Sequence, residues 1–221
     1  RHLIDNKSYL WKDDGTPKFD IDGGPATSII SQRGCPFGCN FCSGRNVDQF
    51  RNVNSASGNK RAFSPKRIVD ELNYINQEFG VTGFMFYDDE LNVNPKIFVR
   101  LMNAISGLQE NLGVEFRLRG FVRSNLFNDE QAKAMHRAGF RWLLVGFETG
   151  SSRMLLNMNK RATVSNNTAC IEIAKKNGLK VKALMSIGHP GESEESIMET
   201  HNWLLEVKPD DFDVTIITVY P

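Results

Sequence analysis

No stretch of this 221-residue sequence stays apolar for the ~18 to 20 residues that a membrane-spanning helix needs. The opening residues, Arg1-His2-Leu3-Ile4-Asp5-Asn6-Lys7, lack the apolar centre of a secretion signal. Neither sign of charge dominates: 27 lysines and arginines against 26 acids leave a formal net charge of +1, and no run of like charges makes an interaction tail. Nucleic acid is therefore unsupported as a partner, and a membrane is not expected. Low-complexity tracts and repeats at solenoid periods are missing too. Cysteine is scarce, with four in the chain, and a chain of this length buries enough core to need no disulfide framework. These absences point to an intracellular, reducing compartment, the cytoplasm. With 40% hydrophobic and 24% charged residues, the composition is that of an ordinary globular protein.

Three of the four cysteines stand together in Arg33-Gly34-Cys35-Pro36-Phe37-Gly38-Cys39-Asn40-Phe41-Cys42, spaced C-x3-C-x2-C. A cubane iron-sulfur cluster held wholly by protein takes four thiolates; three from one short loop hold three irons and leave the fourth open. An open iron beside a bound sulfonium is what S-adenosylmethionine radical chemistry requires, because the metal must touch the molecule it reduces. A closed zinc site needs a fourth ligand, and Cys170, His2, His136, His189 and His201 are scattered at no finger-like spacing. A non-catalytic zinc or iron-sulfur interaction module is the alternative from another class. Cys170 falls on the apolar face of a predicted helix and reads as a small core residue.

Beyond residue 25, strand-like and helix-like segments alternate. Ala26-Thr27-Ser28-Ile29-Ile30-Ser31 reads as a strand that delivers the chain into the cysteine loop. Ser64-Pro65 is an N-cap with proline in the first helical position, and Ile68, Val69, Leu72, Ile75 and Phe79 recur at helical spacing up to Gly80. Phe84 to Tyr87 is a second strand, Asn94-Pro95 opens a helix through Ile105, and Val114 to Phe121 is a third strand. Asn128, with Gln131 as in a capping box, starts a helix that closes at Gly139; Trp142 to Val145 is a fourth strand. Thr163 opens a helix that closes at Gly178, Leu179 to Ile187 is a fifth strand, Ser193 to Val207 a helix, and Val214 to Val219 a sixth strand.

Six strand units joined by five helices predict an α/β fold with parallel strands and right-handed crossovers. Six units fall short of the eight of a closed barrel, so the expected form is an open (βα)6 partial barrel of TIM type. In such folds the site gathers at the C-terminal ends of the strands. There the sequence places the three cysteines, Asp88-Asp89-Glu90, Arg119 and Arg123, Glu148, and Ser186 to Glu192. Residues 1–25, polar and ending Gly23-Gly24-Pro25, read as a lead-in or linker from a missing upstream domain; residues 26–221 read as the core, truncated after its sixth strand.

These residues resemble the radical S-adenosylmethionine (radical SAM) superfamily, whose core is a six-unit partial barrel with C-x3-C-x-aromatic-C after strand one; Phe41 takes the aromatic position. Gly146-Phe147-Glu148-Thr149-Gly150-Ser151, Gly188-His189-Pro190-Gly191-Glu192 and the terminal Tyr220-Pro221 are similar to the subgroup in which a cobalamin-binding domain precedes the core. The resemblance implies a 4Fe-4S cluster on Cys35, Cys39 and Cys42, S-adenosylmethionine as second cofactor, and cobalamin bound by a domain outside this chain. It also implies cofactor contacts from Phe41 and from Asp88 or Asp89, which stand where many members have Gly-Gly-Glu facing the methionyl amine. Glu148 corresponds to a contact with the ribose or methionyl group, a carboxylate being able to accept from two vicinal hydroxyls. Arg123, or in its place Arg119 or Arg117, would fork onto the cofactor carboxylate. Ser186, Ile187 and Gly188 fall where the family packs against adenine, the glycine allowing close backbone approach. His189 and Glu192 read equally well as plain turn and helix-start residues.

The implied reaction is one-electron reduction of the cluster by a flavodoxin or ferredoxin, homolysis of S-adenosylmethionine to methionine and a 5'-deoxyadenosyl radical, and hydrogen abstraction from a small-molecule or peptide substrate. No catalytic side chain is assigned beyond the cluster and cofactor. A cobalamin-dependent methyltransferase or cyclase is the setting that the resemblance favours; a methylthiotransferase acting on tRNA or protein is the alternative.

Overall fold

The computed structural model describes residues 25–42 and 61–218. The expected lead-in up to Gly24, Val219 at the end of the expected sixth strand, and Tyr220-Pro221 lie outside the described residues. Strand β1 (Ala26–Ile29) leads to β2 (Gln32–Arg33), which pairs antiparallel with β3 (Arg61–Ala62). The main sheet sets β1 beside β4 (Gly83–Phe86), β5 (Arg117–Phe121), β6 (Phe140–Glu148), β7 (Lys180–Ile187) and β8 (Asp211–Ile216), in that order. Every neighbouring pair in it is parallel. This is the expected α/β partial barrel, with β1 and β8 at its two edges.

The connecting helices begin and end where local chemistry dictates. In α1 (Pro65–Phe79) the Ser64 side chain accepts from Arg67 N, and Gly80, at φ 65°, closes the helix. In α2 (Pro95–Leu112) the Asn94 side chain accepts from Ile97 N and Gly113 closes at φ 64°. In α3 (Asp129–Arg137) Asn128 accepts from Gln131 N, while the Gln131 side chain turns inward to Asn92 Nδ2 instead of completing a capping box. A six-residue α4 (Ser152–Asn157), too short to leave a periodic signal, precedes α5 (Val164–Lys176) between β6 and β7. Helix α6 (Glu194–Val207) starts on a reciprocal Ser193–Ser196 box.

The helices bury one face against the outside of the sheet. Ile68, Leu72 and Ile75 of α1, Phe98, Met102 and Ile105 of α2, Met135 of α3 and Cys170 and Ile171 of α5 join Phe84, Phe86, Leu118, Phe140, Leu143, Val145 and Phe147 in one core. Among the described residues no helix is long and apolar enough to cross a membrane.

Several strands differ from their expected bounds: the first stops at Ile29 and not Ser31, and the fourth runs Phe140–Glu148 and not only Trp142–Val145. The third starts at Arg117 and not Val114, because Val114 N bonds back to Gln109 O and Phe116 N to Gln109 Oε1, so these residues finish the helix cap. The sixth runs Asp211–Ile216 and not from Val214, because Lys182 Nζ of β7 holds Asp211 and Asp213 at 2.9 and 2.8 Å on the inner face. Its apolar residues, Phe212, Val214 and Ile216, lie on the other face.

Gly139 joins α3 to β6 at φ 93°, and a Cβ there would stand 2.4 Å from Phe116 O. Gly139→Ala is expected to destabilise the fold by about 2 to 3 kcal/mol, from left-handed strain plus a backbone clash. Urea unfolding measures it.

Candidate active site

The C-terminal ends of the strands surround a cavity of about 590 Å³, within the usual size range of ligand sites. Cys35, Cys39, Phe41 and Cys42 line one wall, and Asp89, Glu90, Arg123, Glu148 and Lys160 the rest of the rim. The register Ile29↔Phe86↔Gly120 places the following residues, Ile30, Tyr87 and Phe121, in one row across the sheet, and Phe121 pairs with Leu144. All four line the cavity with Leu184, so a charged rim stands over an apolar floor.

All three loop cysteines are free thiols; Cys39 is buried and Cys35 half-buried. Burial pushes the Cys35 thiol up, opposed by the hydrogen bond from the Phe37 backbone and by the Arg123 charge. Arg123 is itself set by Asn92, whose side chain accepts from Arg123 N at 2.9 Å and donates to Arg123 O at 3.1 Å. Its guanidinium lies 3.7 Å above the Phe37 ring and 4.0 Å from Cys39 Sγ. Its remaining donors go to Lys160 O and Asn125 Oδ1. Arg123 therefore ties loops together beside the cysteines. Of its sequence alternatives, Arg117 donates to Thr82 Oγ1 near the opposite end of the sheet, and Arg119 is buried below the floor row.

The three acids after β4 part ways. Asp88 is buried and accepts from Ser31 N, Ser31 Oγ and Gln32 N, pinning the chain that leaves β1. Burial pushes its carboxyl up to about 6 against those bonds. Asp88 does not line the cavity, whereas Asp89 does and also accepts from Gly34 N at 2.8 Å. Glu90 lines the cavity too, and its Oε2 is enclosed without a hydrogen-bond partner among the described residues. Burial pushes Glu90 up to about 7, although the Lys160 and Arg123 charges pull it back.

A carboxyl raised in the fold keeps its proton where the unfolded chain has lost it, so the stability it contributes is lost as pH rises through the folded value. For Glu90 that window runs from 4.5 to about 7. Relative to Glu90→Gln, the cluster-free wild type should lose stability between pH 5 and pH 8. The difference between the two denaturation curves isolates Glu90 from His189, whose depressed pKa acts in the opposite direction. A flat difference would show that Glu90 is already ionised at pH 5.

Glu148 ends β6 at φ 66°, just after a register shift between Gly146 and Glu148, and this turn aims its carboxylate into the cavity. Lys160 Nζ donates to Glu148 Oε1 at 2.7 Å, and both side chains are nearly enclosed. Ser186 Oγ donates to Glu148 Oε2 at 3.1 Å and lies 2.7 Å from His189 Nε2. The buried His189 ring meets the edge of Phe41, and Lys160 Nζ lies 5.7 Å from the same ring. Ser186 thus backs the cavity through Glu148. Ile187 and Gly188 lie outside its lining; Gly188, at φ 88°, donates its N–H to Glu192 Oε2, which fixes the turn into α6.

Sequence reasoning missed Lys160 and Asn92 and left Glu90 without a role. Glu90 had a signal, as the third acid of a run after a strand; Lys160 and Asn92 had none.

Residues 29–204 match the Radical SAM superfamily. The chain belongs to this superfamily. An uncharacterized methyltransferase of Pyrococcus horikoshii is 31% identical over 206 residues, 92% of this chain and 42% of that protein. The anaerobic magnesium-protoporphyrin IX monomethyl ester cyclase of Rubrivivax gelatinosus is 26% identical over 86% of this chain and 32% of its own length. The radical S-adenosylmethionine methyltransferase TsrM of Kitasatospora setae, solved with cobalamin and a 4Fe-4S cluster bound, shares the fold at a TM-score of 0.74 and 17% identity, over 86% of this chain and 34% of that one. The chain thus spans less than half the length of each.

As a radical SAM enzyme the protein is expected to hold a 4Fe-4S cluster and S-adenosylmethionine, and its residues fit both. Three free thiols share one cavity wall, a donor set for three irons of a cubane. The enclosed Glu90 Oε2, which has no hydrogen-bond partner among the described residues, is an acceptor suited to an ammonium group. Enzyme membership displaces the reading as a non-catalytic interaction module.

Proposed function

We propose that this chain is the radical-forming core of a cobalamin-dependent methyltransferase or ring-forming cyclase that acts on an apolar carbon of a small-molecule or peptide substrate. One observation carries the reading: a single cavity joins three thiols to a rim of alternating charges above a floor of Ile30, Tyr87, Phe121 and Leu144. When bound, the cluster and S-adenosylmethionine supply the electron and the carbon radical. Asp89 and Glu90 accept from the methionyl ammonium, Lys160 holds the methionyl carboxylate, and Glu148 accepts from the ribose. Phe41 flanks the adenine. The apolar floor presents an unactivated C–H group and keeps water from the radical.

Cobalamin belongs to a domain of the whole protein outside residues 26–221, and a flavodoxin or ferredoxin delivers the electron. The methyltransferase and the cyclase among the relatives support this pair of outcomes. A methylthiotransferase acting on tRNA would call for basic surface that a net charge of +1 does not supply.

The test is anaerobic reconstitution of this chain, addition of S-adenosylmethionine and a strong reductant, and mass spectrometry of the products. Slow formation of 5'-deoxyadenosine without substrate turnover is expected, since a radical with no positioned partner takes hydrogen from whatever is near. Methylation or cyclisation should require the whole protein with cobalamin. A reducible cluster with bound S-adenosylmethionine and no 5'-deoxyadenosine would refute the reading.

A further inference from the structure

Residues 157–161, from the last residue of α4 toward α5, touch four parts of the rim at once. Toward the cysteine loop, Asn40 N donates to Met158 O and Asn40 Nδ2 to Asn157 O, both at 2.9 Å, while Asn159 Nδ2 donates to Gly38 O at 2.7 Å. Toward the residues after β5, Lys160 O accepts from Arg123 and Arg161 O from Asn125 Nδ2. Toward the turn after β7, Asn157 Nδ2 donates to Pro190 O. Into the cavity, the segment sends Lys160 to Glu148.

The backbone on either side of Lys160 is left-handed, with φ 51° at Asn159 and 53° at Arg161. That conformation costs a non-glycine residue about 1 to 2 kcal/mol and persists where surrounding bonds offset the cost; asparagine tolerates it best. Because Lys160 has little freedom of its own, a pull on its ammonium reaches the carbonyls and amides that grip residues 38–40.

We propose that segment 157–161 couples occupancy of the Lys160–Glu148 site to the geometry of the cysteine loop, with Asn159 as the positioning residue. The inference rests on the cysteines and on Lys160 serving the cluster and S-adenosylmethionine as above. Asn159 touches the loop between Cys35 and Cys39 through Gly38 and lies outside the cavity lining. Its effect on S-adenosylmethionine is therefore transmitted through Lys160 and the loop.

The test uses the reconstituted protein and two readouts independent of turnover: the rate of iron release to a chelator with and without S-adenosylmethionine, and the electron paramagnetic resonance spectrum of the reduced cluster under the same two conditions. Asn159→Gly keeps the left-handed backbone without strain, removes the bond to Gly38 and loosens the segment's backbone. It should release iron about fivefold to tenfold faster, the loss expected from one partly buried hydrogen bond. It should also lose most of the slowing, and of the spectral change, that S-adenosylmethionine produces in the wild type. Asn40→Ala removes the Asn40 Nδ2–Asn157 O bond from the loop side while the backbone bond to Met158 O stays, and should shift both readouts in the same direction, which covers a folding failure of the first variant.

Equal acceleration with and without the cofactor would show a plain structural anchor and overturn the coupling, as would wild-type behaviour in both variants. A wild type that holds no iron or binds no S-adenosylmethionine would instead overturn the functional reading itself.

Discussion

Alanine at any one of Cys35, Cys39 or Cys42 is expected to abolish the 4Fe-4S cluster, while Cys170→Ala keeps full iron. The three loop thiols share one cavity wall, and a cubane with only two protein ligands leaves two irons open to solvent and loss. Cys170 has a different neighbourhood. It lies in α5, 1% exposed within the core, and burial pushes its thiol strongly up, so it is a packed apolar side chain and no thiolate donor. Its removal should cost about 1 kcal/mol of packing. Iron and sulfide per chain after anaerobic reconstitution, with circular dichroism to verify folding, decide the matter. Stoichiometric cluster in Cys39→Ala would refute the ligand set.

Lys160→Met is expected to weaken S-adenosylmethionine binding by about 10- to 100-fold, as stranding a charged partner does, and to destabilise the cofactor-free protein by about 3 kcal/mol. The second effect arises because Glu148 is left without its ion-pair partner in a nearly enclosed position, with only Ser186 among the described residues still donating to it. Glu148→Gln should strand Lys160 in the same way. The double variant Lys160→Met/Glu148→Gln should recover most of the stability, since removing both charges of a buried pair is far cheaper than removing one, yet still bind S-adenosylmethionine poorly. Calorimetric titration and denaturant unfolding separate these outcomes. Wild-type affinity in the double variant would remove the pair from the cofactor site. Cluster content should hold in all three, because the bonds of residues 157–159 to the cysteine loop come from Asn157 O, Met158 O and the Asn159 side chain, which these variants keep.

The family and the cysteine wall of the cavity were legible because their signal is local: ten residues from Arg33 to Cys42 carry the whole spacing. The helices were legible for a similar reason, since an N-cap such as Ser64 or Asn94 and a left-handed glycine such as Gly80 or Gly113 act within one turn. Regular alternation of such units is enough for a parallel sheet, and with it for the rim on which the polar residues collect.

What the residues on that rim do is decided by partners far along the chain. Asp88 and Asp89 are neighbours of one type, but the first is taken by Ser31, 57 residues away, and the second faces the cavity. Arg123 reaches Cys39 across 84 positions, and Asn159 reaches Gly38 across 121. Lys160 sits in an unremarkable Asn-Lys-Arg stretch and becomes part of the site only because the backbone around it is left-handed and Glu148 turns to meet it. The sequence by itself determined the C-x3-C-x2-C spacing, the order of elements and the edge of the sheet where the polar residues gather, since each follows from spacing, period or caps within a few residues. The tertiary structure alone decided which acid, which cation and which loop enter the cavity, because a side chain's direction at a strand end depends on contacts that no short window contains.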